Sequence, residues 1–158
     1  MTQKLISSFL LGFVLYLFLD FLLFIGIKIN YIDLYHIKVY YNILFVDNQN
    51  YILMLLLSLL FGYLFMTKKS AKGFSYLYIG MIVLSLSTLY KPIGKGVAEY
   101  LFRKNNLLFR YGKVKFKGDL LYKGRDFVYI YRKDIGKVIK LNSIRLHFKK
   151  AIKQKDIF

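Results

Sequence analysis

Three apolar runs occupy the first ninety residues, and at Lys91 the chain turns abruptly basic. The first run covers about residues 6–27 and holds one acidic or basic side chain, Asp20. The second, residues 51–67, and the third, residues 74–90, hold none. A membrane-crossing helix needs about 20 apolar residues, within a range of about 17–25, so each run has the makings of a span. Lys68 and Lys69 can snorkel from the span ends, and Tyr51, Tyr76, Tyr78 and Tyr90 suit an interface. The first run is longer than a signal-peptide core, and no small-residue cleavage site follows it, so a retained helix is expected.

The composition agrees with this division. Hydrophobic residues make up 57% of the 158 residues and aromatics 19%, against about 45–50% apolar in soluble domains. Residues 91–158 carry 19 of the 25 Lys and Arg but only five acids, within a net charge of +17. Lys, Ile, Tyr, Phe and Asn all have AT-rich codons, so codon usage is expected to contribute part of that charge. The absence of Cys excludes disulfides, thiol nucleophiles and thiolate metal sites. The expected fold class is membrane α-helical, with three transmembrane helices over residues 1–90, plus a small C-terminal all-β domain.

Within the spans, small residues recur at helical spacing. Ser8, Gly12, Tyr16 and Asp20 share one stripe of the first helix, and Ser58 and Gly62 share one on the second. Gly73, Gly80 and Ser87 repeat every seven residues on the third. Small residues let membrane helices approach closely where lipid offers no hydrophobic drive to pack. Asp20 is costly in a bilayer, so it is expected to be protonated or paired, with Tyr16 one turn earlier as a donor. Asp20, Tyr16, Gly12, Ser58 and Gly62 are therefore the expected contact points within the bundle or with a partner helix.

Residues 28–50 contain no Pro, Gly or Ser and read as an interfacial segment. Ile32, Tyr35, His36 and Val39 have helical spacing, and residues 47–50, Asp-Asn-Gln-Asn, suggest a turn and cap. Lys68–Lys72 is expected to form the second loop. After Lys91, Pro92 suits a first helical turn, and an amphipathic linker helix is expected over residues 91–106.

The β-domain is expected over residues 107–148, with a frayed basic tail over residues 149–158. Val114 and Phe116 alternate with Lys113, Lys115 and Lys117. Gly118-Asp119 suggests a turn or bulge, Gly124 a break, and Lys133–Gly136 a turn ending in Gly. Short strands with tight turns suggest a curled sheet or small barrel of SH3-like, Sm-like or OB-like type. Its outer surface is expected to carry Lys113, Lys115, Lys117, Arg132, Lys140 and Arg145, interleaved with Tyr122, Tyr129 and Tyr131.

No phosphate-binding loop, metal-ligand cluster or carboxylate pair marks an active site, since Gly94-Lys95-Gly96 lacks P-loop spacing and two distant His serve a metal poorly. No cofactor and no small-molecule substrate are expected. The leading expectation is a non-catalytic accessory protein of the cell's inner (cytoplasmic) membrane. Its multi-pass helices would contact another membrane protein or a second copy, and its basic domain, on the cytoplasmic side, would meet anionic headgroups. A homo-oligomeric channel or transporter subunit is the alternative. Three spans leading into a small β-domain resemble, in layout alone, small mechanosensitive channels, and no residue role carries over. Basic and aromatic residues together also suit single-stranded nucleic acid, so a membrane-tethered nucleic-acid binder is a third reading, the least favoured.

Overall fold

The computed structural model describes residues 2–112, 114–143 and 146–150. They fall into two compact units, one within Met1–Leu34 and Lys38–Lys95, the other within Tyr35–Ile37 and Gly96–Phe158.

The first unit is built on α1 (Thr2–Ile27), whose near-uniform apolarity leaves no polar face. Among the described residues, the apolar stretch Gln3–Ile32 is the one helix long and apolar enough, by itself, to cross a membrane. At its end the helix widens into a π-helical turn, Lys28–Ile32. Next come α2 (Tyr41–Asp47), α3 (Tyr51–Met66) and α4 (Lys68–Ser87). The pair α2–α3 is bent by 85°, and α4 is bent by 91° against the helix that follows it, α5 (Lys91–Phe102). α3 starts at an Asn50 cap, whose side-chain oxygen accepts from the Leu53 N–H at 3.1 Å, satisfying one of the helix's free amides.

Two expectations for this unit are corrected. The Lys68–Lys72 segment is not a loop. It is the opening of α4, separated from α3 by Thr67 alone, because Lys and Ala are good helix formers and Thr67 adopts the extended φ,ψ of a helix-start residue. Nor is the 32–39 stretch an interfacial helix. His36 takes a left-handed φ of +54°, which breaks right-handed winding, and the helix forms later, as α2.

The core of α1, α3 and α4 gathers Tyr16, Phe61, Phe74 and Tyr78. Phe61 meets Phe74 at 5.4 Å between ring centroids, and the Tyr78 hydroxyl donates to the Leu15 carbonyl at 2.9 Å. Outside this core, Leu5, Leu10, Val14, Leu55, Leu56, Leu59, Leu77, Val83 and Leu84 are among many large apolar side chains left exposed.

α5 (Lys91–Phe102) runs across the boundary between the units, with Pro92 in its first turn. The sheet has five antiparallel strands: β1 (Lys104–Tyr111), β2 (Val114–Lys123), β3 (Phe127–Arg132), β4 (Lys137–Asn142) and β5 (Leu146–Lys150), in the order β4-β3-β2-β1-β5. β2 is shared: its first half pairs with β1 and its second half with β3. Leu107, Phe109, Leu120, Val128 and Ile130 form the core.

The helix therefore stops four residues before the expected boundary at 106, and the strand starts at Lys104 rather than Leu107. Asn106, at φ +54°, forms a bulge inside β1 instead of ending a helix, since Asn tolerates left-handed backbone. Of the expected turn or bulge at Gly118-Asp119 there is no turn: the pair lies within β2, opposite the bulge in β1, while the β1–β2 turn is at Gly112, φ +60°. Lys149 and Lys150 belong to β5 through their register with Leu108 and Leu107, not to a frayed tail. Residues 151–158 lie outside the described residues.

Candidate functional site

The small-residue stripes of α1 and α3 lie backbone to backbone. A Cβ on Gly12 would stand 1.8 Å from the Ser58 carbonyl oxygen, and one on Gly62 would stand 1.9 Å from that of Ser8. Only hydrogen at both positions permits this approach. Ser58 is fully buried, and its hydroxyl donates to the Met54 carbonyl at 2.6 Å, so the contact adds no unsatisfied donor. The Gly73–Gly80–Ser87 repeat does no such work, as a Cβ on Gly73 or Gly80 would meet nothing within 4 Å.

Tyr16 continues the stripe into the aromatic core, and Asp20 leaves it. The donor to Asp20 is Gln49, not the expected Tyr16: Gln49 Nε2 donates to the Asp20 carboxylate and also to the Phe45 carbonyl at 3.2 Å. Sequence spacing on one helix cannot reveal Gln49, since the tertiary fold alone returns it to Asp20.

A second polar junction lies at the C-terminal end of α4. The Asn30 amide donates to the carbonyls of Thr88 at 2.8 Å and Leu89 at 3.0 Å. It thereby satisfies acceptors that a helix C-terminus leaves open. The Thr88 hydroxyl donates to Ser85 at 2.7 Å. Gly26 and Gly94 line this junction, each too close to Thr88 for a Cβ.

In the second unit the sheet buries one acid. Asp119 is 1% exposed and accepts from the Asn106 N–H at 2.9 Å and from Arg103 Nη2 at 3.0 Å. Lys133 Nζ stands 3.4 Å from it. The bulge at Asn106 frees a backbone N–H from the ladder, and the carboxylate takes that N–H up. Arg103 also donates to Glu99 at 2.7 Å, and the Tyr35 hydroxyl donates to Glu99 at 3.3 Å. Burial pushes the Asp119 carboxyl up, but the Asn106 N–H and the Arg103 and Lys133 bonds outweigh it and hold it below the usual carboxylate range. Burial pulls Arg103 down, and its bonds to Asp119 and Glu99 hold it above its ordinary value. A lone acid among alternating lysines was the available signal for this site.

The expected basic–aromatic surface is dispersed. Tyr129, expected on the surface, is buried, as is Tyr122. They are register partners, and Phe102 at the end of α5 meets Tyr122 edge-on at 5.5 Å. Period-two alternation assigns these residues to an outer face, but it cannot foresee that a helix end covers part of that face. Tyr131 is half-buried. Arg132 sits 5.0 Å over the Phe116 ring and pairs with Asp134, and Lys140 lies 3.6 Å over the Phe127 ring. Lys115 and Lys117 are exposed on the first half of β2. Lys113 and Arg145 lie outside the described residues. Among the described residues no group of three or more metal-ligating side chains converges.

Compared with protein-family models, with curated proteins and with solved structures, the chain has no match.

Proposed function

We propose that this protein is a non-catalytic, multi-pass membrane accessory protein that assists the assembly, stability or regulation of a larger membrane complex. The observation that carries this reading is the helical unit's reversal of ordinary burial. Its helices touch through Gly12, Ser58, Gly62 and Ser8, while large aliphatic side chains stay outside. Contiguous apolar surface on that scale marks a membrane or protein interaction site. α1, at 26 residues, is about 39 Å long and exceeds a hydrocarbon core of about 30 Å.

In this reading α3 and α4 also cross the bilayer. α2 and the start of α5 lie along its surfaces, which is what bends of 85° and 91° allow. The five strands, with β2 shared between two pairings, form a small curled sheet of SH3-like connectivity on the cytoplasmic side. Reporter fusions after β5 test that orientation.

The decisive experiment is purification of the tagged full chain from native membranes in mild detergent. A different membrane protein recovered at fixed stoichiometry is the expected result. A homo-oligomeric ring that conducts ions in planar bilayers overturns the accessory reading in favour of a channel.

A further inference from the structure

The cations on and beside the sheet are not equivalent. Arg103, Arg132 and Lys133 are each paired with an acid. Arg110, Lys115 and Lys117 are exposed, and none pairs with an acid among the described residues.

Their placement is set by strand register. Arg110 stands opposite Lys115 on one side and His147 on the other. Leu108 stands opposite Lys117 and Lys149. Two adjacent cross-strand rows of β2-β1-β5 therefore bring four cationic positions and one His together, with no acid in either row. Like charges directly opposite one another in a sheet are destabilising, so this face is held against its own repulsion. At the centre of the face lies Leu108, 39% exposed.

We infer that this β2-β1-β5 face docks on an anionic lipid surface, with Arg110, Lys115 and Lys117 taking headgroup phosphates and Leu108 reaching the headgroup–acyl boundary. Single-stranded nucleic acid fits the face less well. It needs exposed aromatic platforms, and Tyr122 and Tyr129 are buried. In sequence the tether is short, since α5, 12 residues, is the main segment between α4 and the first strand. The inference rests on the proposal that the helices lie in a bilayer.

The chain has no Cys, so Leu108→Cys provides a single attachment point for an environment-sensitive fluorophore on the full-length protein. The labelled protein is reconstituted in nanodiscs of phosphatidylcholine, with and without phosphatidylglycerol. A blue-shifted emission with phosphatidylglycerol only, reversed by salt, is expected. Lys115→Ala should lower the apparent docking constant about fivefold, and Lys115→Glu with Lys117→Glu should abolish the shift.

Equal emission in both lipids, a shift that survives the double charge reversal, or a shift produced by single-stranded oligonucleotide over phosphatidylcholine overturns lipid docking. Hydrogen exchange at β3 amides reports whether each variant's sheet remains folded, and Lys137→Glu, on the far edge strand, serves as a charge control that should leave the shift intact. A helical unit that fails to enter nanodiscs overturns the membrane proposal itself, whereas an inserted protein with an unshifted probe overturns only the docking.

Discussion

Arg103 reaches from the end of α5 to the buried carboxylate of Asp119 in β2, Nη2 to Oδ2 at 3.0 Å, and the same carboxylate closes the β1 bulge through the Asn106 N–H. One acid thus joins a helix end, a bulge and a central strand. Removing it leaves Arg103 and the Asn106 N–H without that acceptor. Asp119→Ala should destabilise the sheet by about 3 kcal/mol. Asp119→Asn, which keeps an acceptor but loses the charge, should cost about 1–2 kcal/mol. Hydrogen exchange of β1–β3 amides in the full chain measures both, and wild-type protection in Asp119→Ala would reject this role.

The same site has a defined pH response. The folded Asp119 carboxyl is held below its ordinary value, which is about 3.9 in an unfolded chain. The unfolded state therefore binds the proton first as pH falls. The stabilisation is fully present above about pH 4 and is lost as pH drops through the lower, folded value. Acid unfolding of the sheet should lose steepness in Asp119→Asn, as followed by near-ultraviolet circular dichroism between neutral pH and pH 2.

Gly12 and Gly62 set the spacing of α1 and α3. Gly12→Ala and Gly62→Ala each force a methyl into backbone atoms less than 2 Å away, so the helices must separate. Each should cost about 1–3 kcal/mol, the usual range for overpacking. Gly80→Ala, where a Cβ meets nothing within 4 Å, should be neutral. Thermal aggregation in detergent compares the three, and equal midpoints would show that the close approach contributes nothing.

Asp20 serves as an acceptor for Gln49. Asp20→Asn retains a side-chain oxygen for the Gln49 amide and should be tolerated. Asp20→Leu leaves that amide without its partner and should cost about 1–3 kcal/mol. Loss of function in Asp20→Asn at a normal protein level would instead assign the carboxyl a role beyond packing.

Asn30 caps the α4 terminus from the π-helical turn. Asn30→Asp exchanges the donor amide for an acceptor facing the Thr88 and Leu89 carbonyls, and should destabilise more than Asn30→Ala. The order of detergent melting points, wild type above Ala above Asp, is the expected readout.

Much of the secondary structure was legible in the sequence. Long apolar runs marked α1 and α3, alternation of Val114 and Phe116 with lysines marked β2, and Gly136 marked the β3–β4 turn, because hydropathy and backbone permissiveness act over a few neighbouring residues. The site was legible only in part. The small-residue stripes named Gly12, Ser58 and Gly62, but the equivalent repeat at Gly73 and Gly80 packs against nothing, and spacing could not distinguish the two.

The sequence by itself determined that the first ninety residues are apolar helix formers and that the tail is a basic, short-stranded sheet. Those properties follow from transfer energies and local φ,ψ preferences that each residue carries into any context. Only the tertiary structure decided that Gln49 answers Asp20, that Asp119 is the buried anion of the sheet, and that Tyr129 lies inside while Arg110, Lys115 and Lys117 stay out. Those outcomes depend on which distant groups share a hydrogen bond or exclude water together, and a one-dimensional pattern does not encode that partnership.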